Sequence, residues 1–193
     1  ISLTACGGDD DSNNQDALNV AFEHGVASGD PLQDRVILWT RITPQDTSLR
    51  YEVIWEISTD QNFKNIVNLG KVQTTLAQDF TVKVDAKELM AGTKYYYRFK
   101  FGSISSPVGQ TKTLAIQTDL VQFAVCSCSN YPAGYFHVYR EISKQDVDVV
   151  IHLGDYIYEY RKNGYATEDS KALGREWEKK KKKEIISLQD YRN

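Results

Sequence analysis

Three side chains in the second half of the sequence have types and spacing that could bind a metal. Cys128 follows the apolar run Val121-Gln122-Phe123-Ala124-Val125-Cys126-Ser127, and Asp155 follows Val147-Asp148-Val149-Val150-Ile151-His152-Leu153-Gly154. Tyr158 lies three positions beyond Asp155. An Asp freed by a preceding Gly can bridge two cations with its two oxygens. A Tyr three residues on can swing back and bind a hard trivalent metal as phenolate. Two metals ~3.5–4 Å apart clamp a phosphate ester and lower the pKa of a bound water or hydroxide. Thiolate, carboxylate and phenolate are all anions, a set that suits ferric iron better than a structural zinc site. The competing reading is a Gly-Asp turn that closes a strand, its tyrosines packing as ordinary aromatics.

Bringing Cys128 to Asp155 requires a particular fold. Phe136, Val138, Tyr139 and Ile142 fall at roughly helical spacing between the two apolar runs. Strand, helix and strand in about 35 residues form a βαβ unit with a parallel pair. Sites in such sheets gather at the carboxyl ends of the strands. Both strands read as buried. Cys126 reads as a small buried apolar residue, and His137 and His152 as hydrogen-bonded core histidines. Cys126 and Cys128, two apart in a strand, have Cβ atoms ~6–7 Å apart on one face, too far for an unstrained disulfide.

Upstream, residues 19–117 have a β pattern. Val36–Ile42, Tyr51–Ile57, Phe80–Val84 and Tyr95–Phe101 are β-branched and aromatic runs separated by turn residues, and Tyr95–Phe101 puts its aromatic residues on one face. Strands at about ten-residue spacing indicate a β-sandwich. Leu89, Gly92-Thr93, Tyr95 and Tyr97 resemble the late corner of fibronectin type III-like domains, where a Tyr pins the turn. His24 is expected to cap or pack the first strand. The sandwich itself reads as scaffold.

Leu3-Thr4-Ala5-Cys6 has the form of a lipobox. It implies cleavage before Cys6 and lipidation of its thiol, and hence a lipid anchor to a bacterial membrane and a periplasmic or cell-surface location. A stray cysteine in a polar tail is the other reading. Gly7–Gln15 is too polar to bury and suits a flexible tether. Ile1 in place of Met suggests a processed or partial product. The 193 residues carry a net charge of −3, which gives no footprint for nucleic acid. Apolar residues make up 41%, with 12 Tyr and 7 Phe, enough for a sandwich core. No run of about 18 apolar residues suggests a transmembrane helix. Lys179–Lys183 reads first as a solvated face, with a local insertion or a sequence error as alternatives.

The combination resembles the PhoD-type alkaline phosphatases. The motifs are Phe22-Glu23-His24-Gly25-Val26-Ala27-Ser28-Gly29-Asp30-Pro31, Val36–Arg41, Tyr95–Phe99, Ser106-Pro107-Val108-Gly109, Ser127-Cys128, His152–Tyr160 and Leu188–Arg192, in that order. The resemblance implies an Fn3-like sandwich over 19–117, after a tether over 1–18, and the start of an α/β metallophosphoesterase domain over 118–193. It implies iron held by Cys128, Asp155 and Tyr158, with Asp155 bridging to calcium. The implied activity is hydrolysis of phosphomonoesters and phosphodiesters at alkaline pH. The family's later Asp-Asp-His-Glu-type and Gly-Asp-x-His-type segments do not occur before Asn193. On this reading the chain is an amino-terminal fragment, inactive and poorly stable by itself. The other functional reading is a non-catalytic, tethered sandwich serving as a binding or adhesion module.

Overall fold

The computed structural model describes residues 19–161, 164–176 and 184–192. Cys6 with its lipobox, the polar tether and the Lys179–Lys183 run lie outside the described residues. The chain divides into two compact units, Ile1–Thr118 and Asp119–Asn193.

In the first unit, alternation of apolar and polar residues builds two sheets around one core. Strands β1 (Val20–Ala21), β2 (Val26–Gly29), β3 (Val36–Arg41), β4 (Thr43–Pro44) and β5 (Tyr51–Ser58) are followed by β6 (Ile66–Thr74) and β7 (Thr81–Ala86). Strands β8 (Lys94–Phe101), β9 (Ile104–Ser105) and β10 (Gly109–Lys112) complete the unit. One sheet has the order β2-β3-β7 and the other β10-β8-β5-β6, with β9 paired to β8; β1 and β4 form a separate pair. In β3, every second residue (Val36, Leu38, Thr40) is buried, and in β8 the buried set is Tyr95, Tyr97, Phe99 and Phe101. These faces meet in one cluster with Tyr51, Val53, Ile57, Val82 and Val84. Period-2 patterning thus selects the inward faces of both sheets, as in a sandwich.

Buried polar groups in this core have partners. Thr40 Oγ1 donates to Gly25 O at 2.8 Å, and Thr113 Oγ1 donates to Met90 O at 2.6 Å while accepting from Thr93 N at 3.0 Å. The Tyr95 hydroxyl accepts the Met90 N–H at 2.8 Å, the corner that the Leu89–Tyr97 pattern anticipates. Glu56, buried on the outer side of β5, takes Arg98 Nε at 2.7 Å and Lys100 Nζ at 3.4 Å. His24 is exposed, and its Nε2 meets Arg41 Nη1 and Thr43 Oγ1. It therefore ties the β2 approach to the β3–β4 segment.

The second unit is a small parallel pair. β11 (Phe123–Cys126) and β12 (Val149–His152) run parallel, Phe123 opposite Val149 and Cys126 opposite His152. Helix α1 (His137–Ile142) lies between them in sequence, and α2 (Leu188–Arg192) comes last. The strands depart from the expected burial. Phe123 and Val125 are 55% and 56% exposed, and Cys126 is half-buried. A two-stranded sheet beside a six-residue helix offers too few neighbours to cover apolar side chains on both faces. His137 is also not a core residue: it opens α1 in an exposed position, its ring stacked on Tyr135. No helix among the described residues is long and apolar enough to cross a membrane.

Candidate metal centre

Both strands of the parallel pair stop short of the donors, and backbone bonds carry the pairing onward. Leu153 N donates to Cys126 O at 2.8 Å, Cys128 N to Gly154 O at 3.1 Å and Ser129 N to Asp155 O at 2.8 Å. Cys128 therefore sits in the loop after β11, not in the strand. At this point the chain bends through positive φ three times, at Cys128 (64°), Gly154 (117°) and Asp155 (54°). Gly adopts such angles freely, whereas for side chains with a Cβ they are uncommon and cost of order 1–3 kcal/mol each. The bends aim side chains that an extended strand would alternate across two faces.

The result is a shared space at the end of the sheet. Cys128 Sγ lies 3.8 Å from Asp155 Oδ2, and the Tyr158 hydroxyl donates to the same oxygen at 3.0 Å. Asp155 Oδ1 makes no hydrogen bond among the described residues. Cys128 and Asp155 are exposed and Tyr158 is half-buried. The hydrogen bond with Cys128, then desolvation and the hydrogen bond with Asp155, push the Tyr158 phenol above its ordinary range.

This donor set fits a metal. Donors held at metal–ligand bonds of about 2.0–2.3 Å and at right angles or wider are themselves about 3 Å or more apart, matching the 3.0 and 3.8 Å separations. A thiol, a carboxyl and a phenol, each able to become an anion, suit a trivalent ion. Among the described residues no group of three or more His, Cys, Asp and Glu side chains converges. Cys126 and Cys128 are free thiols.

Surroundings that the sequence reading passed over adjoin these donors. A pocket of about 360 Å³ is lined by Ser129, Tyr131, Phe136, Tyr139, Tyr156, Ile157 and Tyr158. Arg175 lies over the Tyr131 ring at 3.8 Å and donates from Nε to Tyr131 O at 2.6 Å. The crowding of aromatic residues between Tyr131 and Tyr160 was the available signal, but spacing alone does not reveal which rings share a wall.

Set beside known proteins, the chain matches one family. The family described as PhoD-like phosphatase, N-terminal domain, matches residues 8–115, and the PhoD-like phosphatase family matches residues 123–193. Alkaline phosphatase D of Bacillus subtilis (strain 168) is 41% identical over 181 residues, covering 89% of this chain and 30% of that protein. A solved structure of PhoD superposes with a TM-score of 0.74 at 40% identity, covering 89% of this chain and 34% of that one. The chain belongs to the PhoD-like phosphatase family, and it spans about a third of the length of these relatives.

Proposed function

We propose that the protein carrying these residues hydrolyses phosphate esters at alkaline pH, monoesters and commonly diesters, at a metal centre to which this chain contributes Cys128, Asp155 and Tyr158. The observation that carries the proposal is the meeting of these three side chains at Asp155 Oδ2, through turns strained at both Cys128 and Asp155. In this assignment Cys128, Asp155 and Tyr158 would hold iron. Asp155 would also serve calcium. Bound together, the cations supply Lewis acidity toward phosphoryl oxygens and acidify water. The chain's own part is to fix three anionic donors at one point and keep them accessible to an ester. The match of residues 123–193 to the phosphatase family supports this reading over a non-catalytic binding sandwich.

The same proposal includes the amino terminus: Cys6 carries lipid, and the polar residues after it tether the enzyme to a bacterial membrane on the periplasmic or outer face.

The deciding experiment substitutes Asp155→Asn in the full-length protein and measures turnover of an aryl phosphate together with bound iron. Loss of both is expected. Undiminished turnover with unchanged iron would reject the assignment.

A further inference from the structure

If the proposed centre is right, its donors arrive on two separate loops, and something must hold those loops in register. One side chain touches both. Gly154 N donates to His152 Nδ1 at 3.3 Å, while His152 Nε2 lies 3.1 Å from Ser129 Oγ and 3.1 Å from the Tyr139 hydroxyl. Gly154 precedes Asp155, and Ser129 follows Cys128. An Nδ1 that accepts a hydrogen bond places the proton of a neutral imidazole on Nε2. That proton therefore points at the two hydroxyls, which also contact each other. The Tyr139 ring lies beside it nearly parallel, with centroids 6.4 Å apart and planes at 12°, and the Tyr156 ring meets it at 5.2 Å and 74°.

We propose that His152 is a positioning residue of the metal centre, its imidazole clamping the Cys128–Ser129 turn to the Gly154–Asp155 turn. The turns need such a clamp. Three positive φ angles fall within them, and strained backbone persists only where its surroundings hold it. Their other ties are backbone hydrogen bonds and the exposed Cys128 Sγ–Asp155 Oδ2 contact, all at an exposed sheet end, the kind of segment that opens locally at low cost. His152 is the last residue of β12, so its own backbone is fixed by pairing with Cys126. The clamp thus transmits the register of the sheet to both donors without touching a metal itself. This inference rests on the proposed centre for its purpose, though not for its geometry.

Two replacements at this position separate the clamp from mere packing. His152→Phe keeps a ring against Tyr139 but removes both hydrogen bonds. His152→Gln loses the ring but retains an acceptor and a donor. In the full-length protein stripped of metal, amide hydrogen exchange at residues 127–129 and 153–155 is expected to quicken at least ~10-fold in the Phe variant and much less in the Gln variant. Iron affinity of the Phe variant is expected to fall ~10–100-fold, the usual cost of losing a residue that orients ligands. Unchanged exchange in both segments of the Phe variant would overturn the clamp. So would equal acceleration in the two variants throughout the second unit, which marks a packing role alone. If the wild type binds no iron yet the Phe variant still loosens both segments, the clamp stands and the iron assignment falls. Should the Phe variant fail to fold, Tyr139→Phe and Ser129→Ala each remove one arm and are expected to loosen residues 127–129. Unchanged exchange there in both would overturn the proposal equally.

Discussion

Gly109 is the cross-strand partner of Tyr97, and the tyrosine ring lies over it so closely that a Cβ on Gly109 would sit 2.3 Å from Tyr97 Cζ. Trp55 and Gly70 repeat the arrangement between β5 and β6, with 2.7 Å from a built Cβ to Trp55 Nε1. Gly109→Ala is therefore expected to destabilise the sandwich by about 1–3 kcal/mol. A strand Gly→Ala change at a compatible backbone would otherwise stabilise by about 0.4–1 kcal/mol, so the sign decides. The ring has little room to yield, because Tyr97 is buried and its hydroxyl bonds Ser28. Urea unfolding of both variants, with Gly29→Ala as the uncrowded control, tests this: nothing lies within 4 Å of a Cβ on Gly29. A stabilised Gly109 variant would refute it.

Tyr95→Phe removes only the hydroxyl that accepts from Met90 N. The lost bond leaves a backbone donor in a partly buried corner without its partner, a cost of about 1–3 kcal/mol. The same urea series should move its midpoint without changing its slope.

The raised Tyr158 phenol makes stability depend on pH in a definite direction. Its hydrogen bonds with Cys128 and Asp155, and its desolvation, favour the protonated form in the folded chain. An unfolded tyrosine ionises near pH ~10. The contribution is therefore fully present below about pH 10 and is lost as pH rises above it, because the unfolded chain then releases a proton that the folded chain keeps. Metal-free wild type should lose more melting temperature between about pH 8 and 11 than Tyr158→Phe does. Parallel losses would show that the phenol is not held up.

Iron should protect one cysteine and not the other. Cys128 is exposed with its thiol facing Asp155, while Cys126 is half-buried in β11 and its thiol faces the Ile151 carbonyl. In the full-length protein, alkylation of Cys128 is expected to slow at least ~10-fold on iron loading, since a metal-bound thiolate is withdrawn from reaction. The rate at Cys126 should change little. Peptide mapping after iodoacetamide treatment reads both at once.

The sandwich was largely legible where alternation is strict. Val36–Arg41 and Lys94–Phe101 bury the residues that their period-2 pattern selects. Strand β6 was not foreseen, although it is the longest in the unit. Its sequence puts Ile66, Val67 and Leu69 in exposed positions and a glycine mid-strand, and the reason for the glycine is Trp55 on the neighbouring strand. Cross-strand reasons of this kind are invisible along one segment. The parallel pair and the nearness of Cys128 to Asp155 followed from chain order and strand-end logic. The positive φ at both residues, and the part His152 plays between them, depend on hydrogen bonds formed only once the loops meet.

The order of pairing in the first sheet bears on how the chain is made. Strand β3 lies between β2, its near neighbour in sequence, and β7, whose residues Thr81–Ala86 pair with Arg41–Val36. While the polypeptide emerges from a ribosome, β3 can close on β2 early but must wait for β5 and β6 to pass before its other side is filled. Long-range pairings of this kind fold on the millisecond-to-second scale, comparable with the time needed to add several residues. Leu38 and Val36, which end fully buried, therefore spend part of synthesis uncovered.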